Sequence, residues 1–122
     1  MSNGKNLKLE FRTKQFALQI IRMYSELPKT TVAQVLGRQV LRSGTSVGAQ
    51  YREAMRAKSI ADFVSKIEGS LQEIEETRYW LELLVESGTV QGDCVSSLRE
   101  EADELTAMLV ASARSAKQKR TG

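Results

Sequence analysis

With 122 residues and 41% apolar side chains, the chain is the right size for one domain with a core of its own, and it contains no run of eighteen apolar residues. Histidine is absent, which removes the commonest general base and transition-metal ligand, and a single cysteine, Cys94, excludes an internal disulfide. The net charge is +3, with few aromatics and one proline, Pro28, a composition that favours long helices over many short strands.

Residues 1–8 read as a disordered N-terminus. A first helix is expected to start between Leu9 and Arg12. Its apolar positions Phe16, Ile20, Tyr24 and Leu27 recur every three or four residues, with Ala17 and Ile21 beside them. Leu27-Pro28 ends it, because the residue before proline avoids the α region. Thr30 or Thr31 caps a second helix. Val32, Leu36, Val40, Ser43, Val47, Tyr51 and Ala54 share one side of it, at about 100° per residue. That phase holds across Gly44, so the spacing predicts one helix, straight or bent, rather than a break at Ser43-Gly44-Thr45. Gly37, Gly44 and Gly48 fall on one strip beside the apolar side and predict a closely approaching neighbour.

Ser59 to Asp62 form a variant capping box that opens a third helix. Its core stripe is Ile60, Phe63, Val64, Ile67, Leu71, Ile74, Leu81 and Val85, and Gly88 is its natural stop. Asp93 is expected to cap the fourth helix, which puts Cys94 in its first turn as a small, semi-buried residue. Val95, Leu98, Ala102, Leu105, Leu109 and Ser112 alternate by three and four. This helix fades near Ser115, leaving a basic tail over 116–122. Four amphipathic helices with short connections, spanning 9–115, predict an all-α, antiparallel up-down four-helix bundle.

Charge is segregated along the chain. Residues 1–29 carry six basic and two acidic side chains, and residues 30–59 five and one. Residues 60–92 reverse this, with two basic and seven acidic. On the second helix Arg38, Arg42, Arg52 and Arg56 share an arc of roughly 80°, opposite the apolar side. Such a row suits phosphates, each held by a planar guanidinium. The alternative is internal pairing with Glu68, Glu75, Glu82 and Glu86, which form a complementary row on the third helix. Lys117, Lys119 and Arg120 add basic charge at the tail, serving either phosphate affinity or solubility.

Other positions read structurally. Trp80, Leu83 and Leu84 make a second apolar strip, expected to be a subunit interface or a widened core face. Arg78 falls on the core stripe between Ile74 and Leu81, where it needs a carboxylate or several carbonyls; Glu53 is the candidate partner for a structural ion pair, and the alternative is snorkelling to solvent along its apolar stem. Adjacent acids such as Glu75-Glu76 point to different faces and make no general acid/base pair. Neither GxxxxGK[ST] nor GxGxxG occurs. The residues therefore suggest no catalytic group, cofactor or metal.

The stretches from Leu41 to Ala54 (LRSGTSVGAQYREA), Asp62 to Ile67 (DFVSKI) and Glu76 to Leu84 (ETRYWLELL) resemble the bacterial four helix bundle protein family. That family includes proteins encoded in intervening sequences of 23S ribosomal RNA genes. The chain is also similar to the accessory variability proteins of diversity-generating retroelements. The resemblance covers roughly residues 10–110. It implies a four-helix bundle, a homopentamer and no enzymatic activity. It also implies nucleic-acid association, with RNA or DNA, or in the retroelement branch work with a reverse transcriptase. The expectation is a cytoplasmic, non-catalytic, oligomeric module that binds RNA through a basic helical face. The alternative is a protein-binding adaptor or scaffold.

Overall fold

Punctuation sets the architecture. In the computed structural model, which describes residues 3–121 and the side chains of 8–119, α1 spans Asn3–Ser25 and stops just before Leu27-Pro28. Its last turn tightens, with the Glu26 and Leu27 amides donating to Met23 and Tyr24 carbonyls. Next comes α2, Thr31–Met55, capped by Thr30, whose Oγ1 accepts from the Ala33 amide at 3.2 Å. Ser59 Oγ accepts from the Asp62 amide at 3.0 Å and opens α3, Ile60–Glu86. The Asp62 carboxylate reaches back, but to the Lys58 amide rather than that of Ser59. Gly88 follows α3 with φ +76°, the left-handed conformation that lets the Val90 amide return to the Leu84 carbonyl. The fourth helix, α4, is Ser96–Thr121.

The helices run antiparallel to their chain neighbours. Ser70 Oγ donates to the Val47 carbonyl and Thr77 Oγ1 to Ser43 Oγ, so α3 rises as α2 falls. Arg78 meets Asp103 and Glu68 meets Lys117, which gives the same sense for α3 and α4. The expected up-down four-helix bundle is the fold. Its core draws on every helix, from Leu9, Phe16 and Ile20 through Val40, Val47 and Tyr51 to Ile67, Ile74, Leu81, Leu98, Leu105 and Leu109.

Gly44 does not break α2, which is continuous. Ser43, Thr45 and Ser46 satisfy their hydroxyls by donating to carbonyls one turn back, so they do not compete with the helix. The glycine strip meets α1. A methyl carbon added at Gly44 would lie 2.8 Å from Ile20 Cγ1, and one at Gly48 would lie 3.1 Å from Thr13 Oγ1. Because the glycines are the face that α1 covers, the buried arc turns toward them at the start of α2. Ala33 and Gly37 are buried there, while Val32, expected in the core, is 53% exposed. On α1, Ile21 is likewise exposed. On α3, Ser70, Thr77 and Leu84 take core places, and Ile60 is exposed.

Three boundaries differ from expectation. Helix α1 begins at Asn3, several residues before Leu9; residues 1–2 lie outside the described ones. A 3-10 turn over Gly92–Cys94 precedes α4, so Asp93 is not its cap and Cys94 is exposed rather than semi-buried. The region expected as a tail is helical through Thr121, as strong helix formers at 116–120 allow. Among the described residues, no helix is long and apolar enough to cross a membrane.

Candidate nucleic-acid interface

The face of α2 turned away from both α1 and α3 carries Arg38, Arg42, Arg52 and Arg56, and all four are exposed. They divide into two kinds. The Arg42 guanidinium is held across the α2–α3 groove by Glu76 at 2.5 Å and Glu73 at 3.4 Å. The Glu76 hydrogen bond is the main reason its pKa rises, with partial desolvation acting against it. Arg52 leans the other way, 3.7 Å from Glu10 of α1. Arg38 and Arg56 form no ion pair among the described residues, and Arg56 closes the helix as its C-cap. The row is therefore open at its ends and tied in its middle.

The acidic row Glu68, Glu75, Glu82 and Glu86, the alternative partner for these arginines, does not pair with them. Glu68 pairs with Lys117 of α4 at 3.1 Å, and Glu75 lies 3.8 Å from Arg78 within α3. Neither Glu82 nor Glu86 forms an ion pair among the described residues. The acids that do meet α2 are Glu73 and Glu76, because their strip of α3 borders the groove.

Arg78 and Glu53 are not partners. Arg78 sits at the edge of α3 and reaches Asp103 of α4 at 2.9 Å. Thr77 takes the buried place between Ile74 and Leu81, where its hydroxyl donates to Ser43 Oγ and the Glu73 carbonyl. Glu53 instead receives Lys66 at 3.1 Å. A polar hydroxyl that hydrogen-bonds locally is cheaper to bury than a guanidinium, which explains the exchange.

The apolar strip of α3 also divides. Leu84 is fully buried in the core and so unavailable to a second chain. Trp80 and Leu83 are half-buried, and Trp80 Nε1 is buried without a hydrogen-bond partner among the described residues. Tyr79 is exposed and meets the Trp80 ring edge-on at 5.1 Å. On α2, Val35 is exposed. It stands two turns before Arg42, and Leu83 two turns after Glu76. The two therefore continue the strips joined by the Arg42–Glu76 pair.

Lys117 belongs to the α3–α4 edge through Glu68 and does not join the α2 row. Lys119 is exposed farther along α4, and the side chain of Arg120 lies outside the described residues. A further charged cluster joins α1 to α4. Arg12 of α1 donates to Glu101 of α4 at 2.6 and 2.9 Å and to Glu104 at 3.0 Å. These hydrogen bonds, Glu101 first, raise its pKa further above the usual arginine value. The sequence carries the cluster's signal in a basic first helix and in the acids Glu100, Glu101, Asp103 and Glu104 early in the fourth.

Comparison with known proteins agrees with this architecture. A solved structure from Bacteroides thetaiotaomicron, a protein of unknown function from the S23 ribosomal protein family, is 34% identical. The match covers 90% of this chain and 98% of that one, with a TM-score of 0.85. A search of curated proteins found no match. The family model described as 23S rRNA-intervening sequence protein matches residues 5–111, and the chain belongs to that family.

Proposed function

We propose that this chain is a non-catalytic nucleic-acid-binding module that takes RNA phosphates on the outer face of α2. The observation that carries this reading is the pair of exposed guanidiniums, Arg38 and Arg56, with no ion pair among the described residues, in a row whose four arginines are all exposed. Charge balance supports it. Residues 1–59, which form α1 and α2, hold eleven basic and three acidic side chains. Among the described residues, the ion pairs at Arg12, Arg42 and Arg52 leave Arg38 of α2, and Arg56 and Lys58 just past its end, without an ion-pair partner. Binding of this kind is electrostatic and releases counterions.

The test is binding of a structured RNA by wild type and by Arg38→Glu with Arg56→Glu, at two salt concentrations. The expected result is tight binding at low salt that weakens steeply with salt, and a loss of about tenfold or more in the variant. A folded variant that holds RNA as tightly as wild type sinks the reading. Capture of a protein partner that survives nuclease treatment, without RNA affinity, would favour the adaptor alternative.

We also propose that copies of the chain associate through the patch formed by Val35, Tyr79, Trp80 and Leu83. Exposed Val35 and Tyr79, beside half-buried Trp80 and Leu83, support an interface there. Light scattering at micromolar concentration is expected to give a multiple of the 13.6 kDa chain mass, and a monomeric mass would end this reading.

A further inference from the structure

We infer that the ligand of the α2 face is double-helical nucleic acid, held by its phosphate backbone at two points set by Arg38 and Arg56. The inference rests on the nucleic-acid reading above and adds the physical form of the ligand.

Three observations lead to it. First, the two arginines without an ion pair stand eighteen residues apart, Arg38 within the continuous α2 and Arg56 as its C-cap. At 1.5 Å per residue this is about 27 Å. The arginines between them are already engaged, Arg42 by Glu73 and Glu76 and Arg52 by Glu10. The available cations thus stand at two ends a fixed distance apart, Arg38 at one and Arg56, with Lys58 two residues on, at the other. Two weak contacts reinforce each other only when the ligand itself holds that spacing, because effective concentration collapses for a ligand that must be straightened first. A duplex is stiff over about 50 nm, far beyond the span, whereas a single strand loses chain entropy on being straightened.

Second, the strip between the two points holds Thr45 and Ala49 and no aromatic side chain. Single strands are usually captured by stacking bases on aromatic rings. The exposed rings of this protein, Phe11 and Tyr79, belong to α1 and α3. Third, a helix face is convex. It can lie along a backbone but offers no groove for a single strand to follow. Contacts confined to phosphates position a duplex without reading its sequence.

The span corresponds to about eight base pairs of B-form DNA at 3.4 Å per step, and to somewhat more in the shorter-rise A form of RNA. RNA hairpins with stems of about six and about fourteen base pairs, closed by the same non-nucleotide linker, are the probes, beside single strands of the same lengths and DNA stems. Fluorescence anisotropy at fixed low salt is the readout. For wild type, the longer stem is expected to bind about tenfold tighter than the shorter, beyond the gain from added sites. Arg38→Gln or Arg56→Gln each abolishes that step and binds both stems alike, while single strands show none. A step on RNA stems alone supports recognition of A-form geometry, and a step on both polymers supports recognition of backbone charge. If single strands show the same step, or if it survives both variants, the inference is overturned and the nucleic-acid reading stands. If no probe binds, both are overturned.

Discussion

Helix α1 is held along its two flanks by opposite kinds of contact. Against α2 the middle of the seam is close-packed, with the Arg52–Glu10 pair only at its rim: Gly44 and Gly48 let α1 approach until Ile20 and Thr13 nearly touch the α2 backbone. Against α4 the seam carries an ionic clasp. Arg12 spans it to Glu101, Glu104 and the Met108 sulfur, which accepts at 3.4 Å. Where backbones come close, missing side chains make the contact. Where long side chains intervene, hydrogen-bonded charge does. The first kind is insensitive to salt and intolerant of added volume; the second is the reverse.

The largest test attacks the α1–α2 seam with pH. Tyr51 is fully buried, and burial, with a smaller contribution from the Glu10 charge, pushes its pKa up to about 12. The neutral phenol is therefore favoured by folding. Its contribution is complete below pH ~10, the ordinary tyrosine value, and is lost as pH climbs through the folded value, for a total of about 3 kcal/mol. Denaturant titrations between pH 9 and 12 should show this fall, and Tyr51→Phe should flatten it. An unchanged alkaline limb in the variant would assign the fall to other groups.

Volume comes next. Gly44→Ala would press a methyl against Ile20, a β-branched side chain with little room to rotate. A net loss of about 1–2 kcal/mol is expected, after the helix-propensity gain of roughly 1 kcal/mol. Arg12→Met should cost about 1–2 kcal/mol at low salt and less at 1 M salt, where screening shortens to about 3 Å. A cost that does not move with salt would mean that packing rather than charge holds the α4 seam. The smallest effect is expected for Gly37→Ala. Its methyl would meet Leu27 Cδ1, the far end of a flexible side chain, and the edge of the half-buried Tyr24 ring at 3.0 Å, both able to swing aside, so the net change stays below about 1 kcal/mol. Equal losses at Gly37 and Gly44 in thermal melts would break the contrast between stiff and flexible neighbours.

Much of the bundle was legible in the residue order. Helix caps at Thr30 and Ser59, the stops at Pro28 and Gly88, and the continuity of α2 all follow from local backbone chemistry. The heptad spacing of α4 found Leu98, Ala102, Leu105 and Leu109 in the core. Misplaced residues lie at the edges of stripes. Val32, Arg78, Thr77 and Leu84 each sit within one helical position of a boundary between core and surface. A wheel gives angles within one helix but not the direction from which its neighbours arrive.

The candidate site divides along the same line. That four arginines share one face of α2 is a property of spacing, because 3.6 residues per turn decides which side chains lie together. Which of them remain open is a property of packing. Arg42 is tied because the α2–α3 register sets Glu73 and Glu76 beside it, and Arg52 because α1 brings Glu10 within 3.7 Å. The partners of Arg78 and Arg12 were settled in the same way, by residues far away in the chain. Helix, cap and face were determined by the sequence through interactions within a few residues. Pairing across helices was decided only by the tertiary structure, because an ion pair depends on distances of a few ångströms that the register alone sets.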